Sequence, residues 1–154
     1  MSAPHPETWL VSRPEGLWCE PGRFHIDPSR AVERAVITHG HGDHARPGHG
    51  AALATEGTLA IMRARFGAEA ALSMQPLGYG ERLRIGEVEV SLHPAGHVLG
   101  SAQVRLAWQG RVAVVSGDYK RRRDPTCPPF EPVPCDVFVT EATFGLPVFR
   151  HPPD

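Results

Sequence analysis

His39-Gly40-His41-Gly42-Asp43-His44 gathers three imidazoles and a carboxylate into six consecutive residues. Packing seldom calls for such density. Imidazole and carboxylate are the donors that suit zinc when a site must stay open to water or substrate, whereas closed structural sites favour thiolates. Gly40 and Gly42 carry no side chains, which lets the alternate residues converge. Two further groups stand at comparable places: His97, in the Gly-bounded segment Gly96-His97-Val98-Leu99-Gly100-Ser101, and Asp118, in Val114-Val115-Ser116-Gly117-Asp118-Tyr119. Taken singly, each also reads as an ordinary polar turn. Together the three clusters point to metal-assisted hydrolysis, in which two cations about 3.5–4 Å apart acidify water and stabilise the attacked centre. No Ser/His/Asp arrangement competes with them.

The elements needed to position these groups can be read from apolar patterning. Short strands are expected at Leu17 to Cys19, Phe24 to Ile26, Ala35 to Thr38 and Ala51 to Thr55, with a short amphipathic helix from Thr58 to Phe66 that stops at Gly67. Alternation in Leu83 to Ile85, Val88 to Leu92, Val104 to Trp108 and Val112 to Val115 predicts successive strands, with turns at Gly86 and at Gln109-Gly110. A last strand, Val137 to Thr140, precedes Glu141. Each cluster thus follows the end of a strand, and Pro125 to Pro134 is a surface connection.

Composition sets outer bounds. The chain has 154 residues with 41% hydrophobic content, enough for one core. Sixteen Gly and 16 Pro favour many turns between short strands over a helical bundle. A net charge of −1 leaves no global footprint for a polyanion, so nucleic-acid binding would need local patches. Cys19, Cys127 and Cys135 form no C-x-x-C pair and indicate neither disulfides nor a cysteine zinc knuckle. No signal peptide or apolar span is apparent, so the expectation is a cytoplasmic protein without a membrane partner.

The order H-x-H-x-D-H, Gly-bounded His, then Asp after an apolar strand resembles the metallo-β-lactamase superfamily. That resemblance implies an α/β fold, the αββα sandwich, of which residues 1–154 form the N-terminal part. It implies two Zn2+ ions, with Mn2+ or iron as alternatives. His39, His41 and His97 would bind one ion, Asp43 and His44 the second, and Asp118 both. Asp27, in Phe24-His25-Ile26-Asp27, would orient the metal loop, and its rival reading is an Asp-Pro turn residue.

Ala95 to Ala102, Ser116 to Tyr119 and Thr140-Glu141-Ala142-Thr143-Phe144-Gly145 resemble the β-CASP nuclease branch, where Glu141 would support the active site. Gly16 to Gly22, Phe24 to Pro28 and Phe144 to Arg150 are similar to bacterial exonucleases associated with DNA ligases. The implied activity is phosphodiester cleavage in DNA or RNA, in repair or in RNA processing, with an ATP-dependent DNA ligase as a possible partner. Lys120, Arg121, Arg122 and Arg123 would contact phosphates, or else form a solvated basic turn. His25, His49, His93 and His151 are expected to be structural or exposed. Such nucleases are normally about twice this length, so the chain is expected to be a fragment, lacking the β-CASP domain, the C-terminal return and a later His. A fragment of this kind should expose part of a sheet and be sticky or dimeric. Two other functions share the ligands: a small-molecule ester, thioester or lactam hydrolase, and a non-catalytic metal-binding module.

Overall fold

The strand-rich pattern resolves into two packed sheets in a computed structural model that describes residues 2–150. After a single 3-10 turn at Pro6–Thr8, the first sheet takes strands in chain order: β1 (Leu10–Arg13), β2 (Gly16–Cys19), β3 (Phe24–Ile26), β4 (Arg34–Val36), β5 (His49–Ala54) and β6 (Ala71–Pro76). The first three pair antiparallel, and β3 to β6 run parallel. The second sheet has the order β11-β10-β9-β8-β7, from β7 (Arg82–Ile85), β8 (Val88–Pro94), β9 (Ala102–Trp108), β10 (Arg111–Val115) and β11 (Val137–Val139). It is antiparallel except for the β10–β11 pair.

Period-two alternation buries one face of each sheet against the other. Phe24, Ile26, Val36 and Leu53 of the first sheet meet Val90, Leu92, Val104 and Leu106 of the second in the main core. On its other face the first sheet packs Ala35, Ile37 and Ala54 against Leu59 and Met62 of the one α-helix among the described residues, α1 (Glu56–Phe66). That helix is well specified locally. Thr55 caps it by accepting from Thr58 N–H, Glu56 sits in the first turn and Arg63 and Arg65 in the last, and Gly67 ends it at φ 86°. The result is the α/β, two-sheet arrangement expected, with helix outside sheet on one side.

Three differences from the sequence reading have physical causes. Strands β1 and β6 are not predicted by pattern, since Leu-Val-Ser-Arg and Ala-Leu-Ser-Met-Gln-Pro carry weak β signals; both are edge strands defined by their partners. Strand β4 ends at Val36 instead of Thr38, because the Thr38 N–H donates to Asp27 Oδ1 at 2.8 Å and not to a ladder. The proline-rich segment lies on the surface yet is tied down: Glu131 N–H donates to Pro94 O, and Gln103 Nε2 donates to Glu131 O. No helix among the described residues is long and apolar enough to cross a membrane. The three cysteines are free thiols.

Candidate metal centre

Strand ends supply the site. His39 to His44 follow β4, His97 follows β8 and Asp118 follows β10, all at one edge of the sandwich. Ala102 N–H donates to Thr38 O at 2.8 Å, joining the two sheets beside the loops.

One donor atom from each of His39, His41, His97 and Asp118 lies within 4.8 Å of the others. His39 Nε2 is 3.1 Å and His97 Nε2 3.2 Å from His41 Nδ1, while Asp118 Oδ2 is 3.5 Å from His39 Nε2 and 3.8 Å from His97 Nε2. Donors about 2.0–2.1 Å from a tetrahedral zinc stand about 3.3–3.4 Å apart, so the set fits such an ion. Proton placement agrees. Thr38 Oγ1 donates to Asp27 Oδ2 at 2.6 Å and is therefore free to accept from His39 Nδ1 at 3.0 Å. This tautomer, assigned from the network, leaves the His39 Nε2 lone pair facing the other donors.

A second set adjoins it. His44 Nδ1–H donates to Asp27 Oδ2 at 2.8 Å, which turns the Nε2 lone pair toward Asp43 Oδ2 and Asp118 Oδ2, each 3.5 Å away. Asp27, His39 and His44 also form a tight cluster. Asp27 is already engaged by Thr38 and His44, whereas the Asp43 side chain is 73% exposed and free to approach an ion. A cleft of about 250 Å³ opens here, lined by Asp27, Asp43, His44, Asp118 and Glu141. A larger hollow of about 510 Å³ brings together Arg13, Glu15, Trp18, Arg23 and His25 but no converging donor set.

Burial, then the neighbouring histidines, push His39 down to about 3, and burial also lowers His97. Both stay neutral, as ligands must. Burial acts the same way on His44, but the hydrogen bond and charge of Asp27, with Asp118 and Asp43, outweigh it and raise that imidazole.

Glu141 accepts from Tyr119 N–H at 3.3 Å and Thr143 N–H at 3.2 Å, bracing the turn that carries Asp118. Its carboxyl is lowered because these hydrogen bonds overcome the opposing effect of burial. Lys120 begins the basic run beside the His97 loop, where its N–H donates to Ala95 O and its Nζ pairs with Asp124 at 3.0 Å. Arg121, Arg122 and Arg123 are exposed. Of the other histidines, His25 lies tilted against the Trp18 ring, His49 is fully buried and accepts from Val32 N–H, and His93 contacts Ser91 and Glu131. His151 lies outside the described residues.

Sequence reasoning misses the polar residues behind the donors. Thr38 fixes His39, Ser101 Oγ accepts from His97 N–H and Val98 N–H, and Ser116 Oγ accepts from Glu141 N–H. Their only signal is adjacency to a donor or to the Gly-bounded turns.

Such a donor set on the edge of a two-sheet sandwich is of the kind that can hold a divalent metal ion. No family profile matches the chain. It is 34% identical over 94% of its length to a protein named Probable DNA ligase from Opitutus terrae, and 33% identical over 79% of its length to a ribonuclease of Thermus thermophilus. It spans 14% of the first and 34% of the second. A metallo-β-lactamase of Cronobacter sakazakii superposes with a TM-score of 0.46 at 15% identity, over 73% of this chain and 60% of that one. The ribonuclease and DNA ligase names agree with the resemblance of the motifs to the β-CASP nuclease branch of the metallo-β-lactamase superfamily.

Proposed function

We propose that the chain is the metal-binding part of a hydrolase that cuts phosphodiester bonds of nucleic acid, with DNA ends processed for ligation as the favoured substrate. The observation that carries this reading is the convergence of His39, His41, His97 and Asp118, with Asp118 also lining a cleft beside Asp43, His44 and Glu141. Ribonuclease names among the relatives support a nucleic-acid substrate. The ligase name supports DNA, because 14% of the protein that carries it aligns with this chain. That also supports an ATP-dependent ligase as partner.

His39, His41, His97 and Asp118 would hold one divalent cation, and Asp43, His44 and Asp118 a second. Zinc is the best match to a nitrogen-rich set and manganese an alternative; when bound, such ions make water a nucleophile near neutral pH and offset phosphate charge. Asp27 Oδ2 keeps the proton on His44 Nδ1, and Thr38 keeps the one on His39 Nδ1. Glu141 steadies the turn that presents Asp118, and Lys120 to Arg123 would hold flanking phosphates.

Zinc content and cleavage of labelled single-stranded and duplex DNA and RNA test the reading, alongside His41→Ala and Asp118→Ala. Metal-dependent cutting that both substitutions abolish is expected. Preferential turnover of a thioester would favour the small-molecule reading, and stoichiometric metal with no hydrolysis of any substrate would favour a binding module.

A further inference from the structure

Helix α1 touches both loops that bear the first donor set, at opposite ends of its length. At its start, Thr55 Oγ1 and Thr58 Oγ1 both donate to Gly100 O, at 2.6 and 3.1 Å. Both threonines are buried, at 6% and 0% exposure. Gly100 sits at φ +76°, and a Cβ on it would lie 2.5 Å from Thr58 N and 2.7 Å from Thr55 Oγ1. Gly57 is nearly as close, since a Cβ there would come within 3.0 Å of Gly100 Cα. At the other end, Arg65 Nη1 donates to Gly40 O at 2.7 Å, and a Cβ on Gly40 would meet Ile61 at 2.8 Å. Gly40 lies between His39 and His41, and Gly100 closes the turn begun by His97.

We propose that α1 is a clamp for the metal centre: Thr55, Thr58 and Arg65 are positioning residues that fix the His97 loop against the His39–His41 loop and so set the spacing of the three imidazoles. The inference rests on reading those imidazoles as metal ligands. Ten residues of α-helix make a ruler about 15 Å long that bends little, so holding both loops to it removes their independent motion. His41 Nδ1 and His97 Nε2 come from residues 56 positions apart in sequence, yet stand 3.2 Å apart. Ser101 holds the inner side of the His97 turn, and the threonines anchor its outer carbonyl. None of the three positioning residues needs to touch the ion.

The test is zinc affinity by chelator competition, together with the visible absorption of Co2+ in the chain, for Thr58→Val, Arg65→Met and their combination. Val keeps the shape of Thr, and Met keeps the Arg stem. Each single change is expected to weaken the tighter site about tenfold, the range found when groups that orient metal ligands are removed. The double variant should weaken binding further and show an altered Co2+ spectrum. Thr58→Ser should restore parental affinity. Leu59→Val, which loosens α1 packing but leaves the hydrogen bonds to Gly100 O and Gly40 O in place, should lower Tm and leave affinity unchanged. Arg65→Met alters an exposed side chain and retains the fold, so it reports even where a threonine variant does not fold. Parental affinity and spectrum in both single variants would overturn the clamp. A parent chain that binds neither Zn2+ nor Co2+ would overturn the metal reading itself, and the clamp with it.

Discussion

Asp27 Oδ2 lies 2.8 Å from His44 Nδ1, and the same carboxylate reaches the Thr38 N–H and hydroxyl at 2.8 and 2.6 Å. Asp27 takes φ +45°, a left-handed conformation costly for most residues and best tolerated by Asn, Asp and Gly, and this turns its side chain back across the end of β3. One acidic residue therefore orients both donor sets, His44 directly and His39 through Thr38.

Asp27→Asn should separate geometry from charge. The amide fits the left-handed backbone and can still accept from Thr38, but it removes the charge that raises His44 and weakens the hold on its Nδ1 proton. The expected outcome is a 10- to 100-fold loss of affinity at the second site with a smaller change at the first. Isothermal titration resolves the two sites. Equal losses at both would show that Asp27 acts on the loop as a whole.

Gly117→Ala should be severe for its size. Gly117 sits at φ +56°, and an added Cβ would come within 2.6 Å of Thr38 Cβ and Oγ1. Left-handed strain plus displacement of Thr38 predicts a loss of about 2–3 kcal/mol. That corresponds to a Tm lowered by roughly 5–10 °C. Because Thr38 holds the His39 proton, zinc affinity should fall as well. Thermal melts of the metal-free chain and zinc titration check the two effects separately.

Stability of the metal-free chain should fall as pH drops below about 6.5. Burial lowers His25, His39, His49 and His97 in the folded state, so the unfolded chain takes up protons that the folded chain refuses. Stability from these groups is complete above 6.5 and drains away toward their folded values, about 3 for His39. His44, raised by Asp27, works in the opposite direction: its contribution is present at low pH and lost as pH rises through its folded value. Four groups outweigh one. Melts between about pH 7 and pH 5 should therefore show a falling Tm. His49→Gln, which keeps an acceptor for Val32 N–H, should flatten the fall by up to about 1.4 kcal/mol per pH unit.

Much of this centre is legible because its donors are rare residue types placed directly after apolar strands. The β-branched runs at Val88 to Leu92 and Val112 to Val115 signal strands, and a carboxylate or imidazole just past such a run must emerge at the sheet edge. Thr38, Ser101, Thr55, Thr58 and Arg65 are illegible for the opposite reason. Ser, Thr and Arg are common, and their roles here depend on which loop carbonyl or amide folding brings beside them. Thr55 and Gly100 are 45 residues apart, and no local pattern predicts that a helix cap will also hold a distant turn. Edge strands β1 and β6 are hidden similarly, since their partners define them and their side chains do so only weakly.

The basic run offers a test of how nucleic acid is held. Lys120 is engaged with Asp124, which leaves the exposed Arg121 and Arg123 as the stronger candidates for phosphate binding. Ion pairs with phosphate carry no sequence information, so Arg121→Gln and Arg123→Gln should weaken binding to a similar degree on every sequence tried. Removing either cation should also reduce the slope of log affinity against log salt by about 0.9 on duplex DNA and about 0.7 on a single strand. Metal affinity should be unchanged, since neither side chain is a donor. Fluorescence anisotropy on Asp118→Asn, chosen to prevent cleavage, measures the slope over a salt series. An unchanged slope would place the run on a solvated turn.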